Sequence, residues 1–305
     1  MVPTRTETAA DPVVRRLASA VLVFTVAVIL GGSVVRATES GAGCGDQWPR
    51  CEGHIIPWSA DGATAVEFTH RAMTAVLGVL MVALVVTLVR RTAAGAPIRR
   101  AMGYAAAFFI AEVAIGALLV VFGWVEDDAS MGRVIALTVH LINTFLLLAA
   151  LTLVVWLARG GQPPQLDTTR LAHKLVIAGA LVLLVVSASG ALNALADTLF
   201  PAGEVATGSP AHFLVRLRVL HPMVAVAGGT GVFLLAGRLA ASGTAGIARG
   251  LRTVVLAQFA MGVINIALLT PVETQVLHLL LADILWILWV LLAATVTAVP
   301  AAEPS

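Results

Sequence analysis

The chain has 305 residues, of which 59% are hydrophobic and 12% charged, and its mean hydropathy is +0.96. An average soluble domain carries about 25% charged residues, so this composition excludes a water-soluble globular protein and indicates one that sits in a bilayer. The formal net charge of +2 decides little, because in a membrane protein the placement of the charges matters more than their sum.

A helix that crosses the hydrocarbon core needs about 20 mainly apolar residues. Eight stretches qualify, at residues 17–35, 72–89, 101–125, 134–158, 175–195, 219–237, 253–272 and 274–300. Arg15 and Arg16 precede the first, as basic residues precede a signal peptide. Its apolar run is too long for one and no small-residue cleavage site follows, so it is expected to remain as a helix. The expected fold is an all-α integral membrane protein with eight transmembrane helices.

Basic residues orient it. With the N-terminus inside, the inner segments hold Arg5, Arg15, Arg16, Arg90, Arg91, Arg99, Arg100, Arg159, Arg170, Lys174, Arg238, Arg249 and Arg252, thirteen of the nineteen Lys and Arg. Glu39, Asp46, Glu52, Asp61, Glu126, Asp127, Asp128, Asp197 and Glu204 fall outside. The positive-inside rule then places both termini in the cytoplasm of a multi-pass protein of the cytoplasmic membrane.

The stretch A-R-G-G-Q-P-P-Q-L-D-T-T-R, residues 158–170, is rich in Gly and Pro and lies near the midpoint, which marks it as a linker. It divides the chain into residues 1–165 and 166–305. The first segment ends in L-G-G-S-V-V-R-A-T and the fifth in S-A-S-G-A-L-N-A-L. The third carries A-E-V-A-I-G-A-L-L-V and the seventh A-Q-F-A-M-G-V-I-N-I, which aligns Glu112 with Gln258 and Gly116 with Gly262. Two tandem four-helix bundles are expected. With an even number of helices in each, their pseudo-twofold axis runs along the membrane normal. Gly31, Gly32, Gly116, Gly190 and Gly262 suit close helix contacts.

Seven histidines are present. His54 and His212 fall in outer loops and His173 beside Lys174 at an inner helix end, where polar groups cost least. His70, His140, His221 and His278 differ: each lies within about two turns of the outer end of its segment, roughly 10 Å deep, one per even-numbered helix. Four isolated histidines bonded to neighbouring helices would be the plain reading. Their common depth and their distribution, two in each repeat, favour ligands, since ionisable residues inside a membrane default to function. Two imidazoles facing across a bundle can hold a haem iron axially. Zinc or copper would want a third or fourth suitable ligand, and no Cys- or Met-rich cluster accompanies these residues. The expected pairs are His70 with His140 and His221 with His278.

Glu67 precedes His70 by three residues and so shares its helix face. It could reach the rim of a haem held by His70, or it could be an ordinary acid at a helix N-terminus. Arg71, Arg216 and Arg218 could pair with haem propionates or with lipid headgroups. Glu112 and Asp283 are costly at their depth. A helix-to-helix hydrogen bond is the favoured role for both, since neither shares a face with a ligand histidine.

Together these motifs resemble the heme A synthase family over nearly the whole chain. They are G-G-S-V-V-R-A-T-E-S-G-A-G-C-G-D-Q-W-P-R-C, E-F-T-H-R, V-H-L, R-V-L-H-P and L-L-T-P-V-E-T-Q-V-L-H-L-L-L-A-D, in that order. The resemblance implies a two-repeat membrane enzyme that oxidises a methyl group of haem O to the formyl group of haem A for terminal oxidases. It implies a haem b cofactor on His221 and His278. His70 and His140 would then belong to the catalytic half that receives haem O, with Glu67 needed for activity. It further implies a haem O synthase (a protohaem farnesyltransferase) and oxidase assembly factors as partners, with membrane lipid around. A homo-oligomer is compatible with it, and no nucleic-acid partner is expected. Some bacterial members carry a second cysteine pair in the third outer loop, whereas A-L-N-A-L-A-D-T-L-F-P-A-G-E here has none.

Two other classes compete. A di-haem b electron carrier of the quinol-linked cytochrome b type would tend to place two histidines on one helix, stacking its haems across the membrane. A two-repeat transporter would need a matched pair of Pro-interrupted helices at the midplane, and Pro222 is the one proline expected inside a helix.

The only two cysteines, Cys44 and Cys51, lie in the first outer loop, where disulfides persist. A bond between them would contribute roughly 2 to 3 kcal/mol in the chain-entropy model. A staple that shapes the loop is the favoured reading, with Trp48 anchoring it at the interface. A redox-active pair near the catalytic haem is the other, though no cation cluster is there to activate a thiol.

Overall fold

Pro12 and Pro97 each open a helix, at the position where the missing N–H is not needed. Asp11 caps the first of them by accepting the Val13 N–H at 2.8 Å. In the computed structural model, which describes residues 11–57, 62–200, 213–241 and 243–298, the helices are α1 (Pro12–Ala37), α2 (Gly62–Arg91), α3 (Pro97–Val121), α4 (Met131–Ala158), α5 (Leu171–Leu199), α6 (Phe213–Leu217), α7 (Leu220–Arg238), α8 (Ala245–Ala267) and α9 (Val272–Thr297). Among the described residues two isolated bridges are the only β-type pairing. Eight spans are long and apolar enough to cross a membrane, with α6 and α7 together making the sixth. The chain is an all-helical, multi-pass membrane protein. Arg5, Asp61, Glu204, His212 and Pro300, placed from sequence, lie outside the described residues.

Two boundaries depart from the hydropathy pattern, and a short helix, α6, precedes the sixth apolar segment. Helix α2 begins at Gly62, ten residues before its apolar run, because its polar first turns are bonded to the preceding loop: Thr64 Oγ1 donates to the Gly43 carbonyl at 2.6 Å. Helix α3 stops at Val121, since Gly123 and Glu126 take positive φ values of 65° and 48° and turn the chain. The sixth span breaks at Arg218 and Val219. Pro222 has no N–H for the Arg218 carbonyl, and its ring would clash with that carbonyl in a continuous helix.

Helix α1 packs on α2 and α4, α2 on α3, and α3 on α4; α5 packs on α7 and α9, α7 on α8, and α8 on α9. Each half is therefore a closed ring of four spans. The rings meet through α1 and α4 on one side and α5 and α9 on the other. One apolar core draws on α1 to α4 with Val21, Leu84, Met102 and Leu151. Another draws on α5, α7, α8 and α9 with Val176, Val232, Leu251 and Trp289, joined by Phe145 and Leu148 of α4. Val79, Val82, Ile110, Val185 and Val263 point outward, as a lipid-facing surface requires.

One contact shows how tight the second ring is. A Cβ on Gly179 of α5 would lie 2.0 Å from Trp289 Cζ2, and Trp289 Nε1 donates to the Val176 carbonyl at 3.1 Å, which holds the indole in place. Gly179→Ala is expected to cost about 1 to 3 kcal/mol through overpacking and to lower the thermal midpoint in detergent, read by tryptophan fluorescence. Gly231→Ala, where a Cβ meets nothing within 4 Å, should leave the midpoint level or raise it. Equal midpoints for the two variants would refute the packing argument.

Candidate functional site

The four membrane histidines stand at matching depth. His70 lies eight residues into α2, His140 nine into α4, His221 eight past the start of the sixth span and His278 six into α9. Each imidazole rests on a glycine of a neighbouring span. A Cβ at Gly32 of α1 would lie 3.1 Å from His70, and one at Gly116 of α3 3.9 Å from His140. One at Gly190 of α5 would lie 3.1 Å from His221, and one at Gly262 of α8 3.7 Å from His278. Gly116 and Gly262, aligned in the sequence, thus do the same thing in the two halves.

The ring centres of His221 and His278 are 6.4 Å apart. An iron bridging two imidazoles through bonds of ~2 Å would put the ring centres roughly 6 Å apart. His140 lies within electrostatic range of His70. Packing more than hydrogen bonding holds the rings: Nδ1 of His70, His140 and His278 is buried without a hydrogen-bond partner, and only His221 Nδ1 has one, Ser189 Oγ at 3.0 Å. The spacing of His221 and His278 suits two ligands of one haem iron, and Gly32 and Gly190 leave room for the rings of His70 and His221.

Glu67, 3% exposed, lies one turn before His70. Its Oε2 accepts the Cys44 N–H at 2.6 Å, and its Oε1 accepts Arg71 Nε at 3.0 Å and Arg71 Nη2. Arg71 Nη1 donates to the carbonyls of Gln47 at 2.9 Å and Arg50 at 2.8 Å. Cys44 and Cys51 are bonded to each other and buried. The loop sits so close to α2 that a Cβ on Gly43 would lie 2.5 Å from the Ala63 carbonyl carbon, which accounts for the glycine in G-A-G-C-G. The disulfide loop and Arg71 therefore hold Glu67 from both sides.

Arg71 and Arg218 both bond within the protein. Arg218 pairs with Asp197 at 3.0 Å and donates to the carbonyls of Ala196 and Phe200 at the end of α5. Arg216 is exposed on α6. His173, expected as an interfacial residue, is buried, and its Nδ1 accepts the Asp167 N–H at 2.9 Å.

Two expectations need correction. Glu112 does tie α3 to α4, accepting from Asn143 Nδ2 and Thr144 Oγ1. It also lies 3.5 Å from His140 Nδ1; a single helix face cannot reveal a contact made across two helices. Asp283 is 0% exposed, and neither oxygen has a hydrogen-bond partner, so the helix-to-helix bond expected of it is not made. Arg36 was not foreseen. It donates to the Ala194 carbonyl at 2.8 Å, Thr198 Oγ1 at 2.6 Å and Gln275 Oε1 at 2.7 Å, which joins the two halves at the end of the bundle that carries the disulfide loop. Its place in G-G-S-V-V-R-A-T was the only hint.

Residues 15–290 match the COX15-CtaA family, described as a cytochrome oxidase assembly protein. The chain belongs to that family. Among curated relatives, a protoheme IX farnesyltransferase of Thermus thermophilus is 43% identical over 285 residues, which is 90% of this chain and 47% of that protein. The chain thus spans about half the length of that relative. The heme A synthase of Exiguobacterium sibiricum is 46% identical over 68 residues, covering 22% of this chain and 23% of that protein. That of Bacillus pumilus is 35% identical over 113 residues, covering 35% and 36%.

In this COX15-CtaA chain the clamp on Glu67 makes a direct prediction. A hydrogen bond to a charged group contributes about 1.5 to 3 kcal/mol, so Arg71→Ala should let the loop open more often and shorten the half-time of Cys44–Cys51 reduction by dithiothreitol about tenfold or more. Thiol alkylation on a gel reads this. A parental half-time in the variant would mean that Arg71 does not hold the loop.

Proposed function

We propose that this chain is a heme A synthase, an enzyme of heme A biosynthesis that oxidises a methyl group of haem O to the formyl group of haem A for terminal oxidases. The two halves, residues 1–165 and 166–305, are then pseudo-twofold repeats about the membrane normal with divided labour. His70 and His140 receive haem O in the first half, and His221 and His278 hold a resident haem b in the second. The observation that carries this reading is the buried carboxylate of Glu67, one turn from His70 and pinned under the disulfide loop. The second half has Arg218 three residues before His221 where the first has Glu67 before His70.

Methyl to formyl is a four-electron oxidation, made as two successive hydroxylations through the alcohol and the hydrated aldehyde, which then loses water; it releases four protons and four electrons net of the added oxygen, and the electrons pass to an acceptor outside this chain. A haem held by His221 and His278 would supply electron transfer. The chain's own residues orient and shield. The glycines let the rings approach the neighbouring helices, and the disulfide loop covers the outer end of α2. Glu67, fixed by the Cys44 N–H and Arg71, is placed to accept protons or to stabilise positive charge as the methyl carbon is oxidised. The Thermus relative is named for farnesyl transfer, the reaction class that makes haem O. More than half of that protein lies outside the match, so its name need not describe the matched part. With the basic residues on the inner loops, the protein sits in the cytoplasmic membrane with both termini in the cytoplasm.

The test is to express the chain with and without a haem O supply, extract the haems and identify them by chromatography and mass. Haem A or its alcohol intermediate is expected. Two stable b haems and neither product would point to the di-haem electron carrier instead. His221→Ala should strip the resident haem b, while His70→Ala should keep it and lose turnover. Glu67→Gln should keep haem b and convert haem O at least tenfold more slowly; turnover at the parental rate would remove Glu67 from the chemistry.

A further inference from the structure

We propose that Glu112 is a positioning residue for His140, the acceptor of its Nδ1 proton, and that its replacement by Gln258 in the second half sets the two haem sites apart. The proposal rests on the reading of the four histidines as haem ligands. His140 Nδ1 is buried and makes no hydrogen bond. Glu112 Oε1, across the α3–α4 contact, is 3.5 Å from it, longer than a hydrogen bond and short enough to become one with a small rotation of the ring. The carboxylate itself is fixed. Asn143 Nδ2 donates to Oε2 and also to the Phe108 carbonyl at 2.8 Å, and Thr144 Oγ1 donates to Oε1. Asn143 and Thr144 stand three and four residues past His140, on its face of α4, so the anchor for the acid and the ligand belong to one surface.

The second half has the same layout without the acid. Gln258 Nε2 donates to the His278 carbonyl at 3.2 Å, while Gln258 Oε1 and His278 Nδ1 are both buried and unpaired. The positions that match Asn143 and Thr144 are Leu281 and Ala282, which could not hold a carboxylate. An anchored carboxylate beside the His140 ring, and at the matching position an amide bonded to the His278 backbone carbonyl, are a chemical difference between the two sites. A histidine whose Nδ1–H is bonded to a carboxylate has its tautomer fixed, presents Nε2 to the metal and becomes the more basic ligand. Hydrogen bonding to an axial ligand is one of the levers on haem potential. A more basic ligand favours the ferric state, so the first-half haem is held at a lower potential than an amide partner would give.

The test uses the full chain, purified after co-expression with a haem O supply, with optical potentiometry and the low-temperature spin-resonance spectrum of the ferric haems. Glu112→Gln keeps hydrogen-bonding groups for Asn143 and Thr144, so a purely structural tie would survive it. It is expected to raise the midpoint potential of the first-half haem, alter its ferric spectrum and weaken its retention by about 10- to 100-fold, with the haem on His221 and His278 unchanged as the internal control. Glu112→Asp, which keeps the carboxylate, should return the potential towards the parental value. Gln258→Glu combined with Leu281→Asn and Ala282→Thr, which rebuilds the anchor beside the second-half ligand, should lower the midpoint of the second-half haem. Parental potential, spectrum and retention in Glu112→Gln would overturn the proposal. If Glu112→Gln does not assemble, the triple variant decides alone, and an unmoved second-half potential overturns it. A parental chain that takes up no haem in its first half fails the functional reading itself, a result seen before any variant is made.

Discussion

Inside a bilayer no hydrophobic force draws one helix to another, so close packing must come from the removal of side chains. Two of the membrane histidines are pressed on a neighbouring span at a glycine, His70 on Gly31 and Gly32 and His221 on Gly190, while Gly116 and Gly262 lie beside His140 and His278 with room for a methyl group. The tight contacts join α1 to α2 and α5 to α7. A methyl group at Gly32 or Gly190 would stand 3.1 Å from a ring carbon, so the imidazole would have to give way. The close approach of these two helix pairs and the placement of His70 and His221 are therefore linked.

The end of the bundle that carries the disulfide loop also carries the polar burden. With no water in the hydrocarbon region, polar groups there must be satisfied within the protein. The turn between α8 and α9 shows the effort involved. Leu269 and Thr270 both take positive φ, near 60°, a conformation that costs such residues roughly 1 to 2 kcal/mol each. In exchange the Thr270 N–H reaches the Asn265 carbonyl at 2.8 Å, Thr274 Oγ1 reaches Asn265 Oδ1 at 2.6 Å, and Gln275 Nε2 reaches the Thr270 carbonyl at 2.7 Å. Gln275 is then placed to accept from Arg36. The block L-L-T-P-V-E-T-Q thus sets the start of α9, two turns before His278, and ties it to the other half.

Much of this was legible in the sequence, for reasons that also explain the failures. Hydropathy located eight spans because burial in lipid demands long apolar runs, and the common depth of the histidines followed from counting residues. The start of α2 was missed because its first turns are polar and become helical only through partners in the loop, Gly43 and Cys44, far away in sequence. The segment expected at residues 219–237 agrees with α7, Pro222 included, whereas the short helix α6 before it was not expected, because its five residues carry no apolar run of their own. Glu112 was placed on the correct helix and given half of its role. Its contact with His140 depends on the rotation of α3 against α4, which neither helix encodes alone. Asp283 is the opposite case: its depth marked it as costly, and the structure buries it without supplying a hydrogen-bond partner, for which the packing of α9 offers no physical account.

The two halves differ most in how they hold the charge next to the histidine. Three residues before His70 stands an acid, and three before His221 a base. Glu67 is gripped by Arg71 of its own helix and by the N–H of Cys44 in a loop, whereas Arg218 is gripped by Asp197 and two carbonyls of α5. Exposing the first group requires only that a loop lift, and loops open locally at far lower free energy than packed helices separate. Exposing the second requires parting α5 from the sixth span while Arg36 also holds α5, through Ala194 and Thr198. The disulfide ties the two ends of the segment that covers Glu67, so that segment, with the Cys44 N–H that bonds the carboxylate, behaves as one piece.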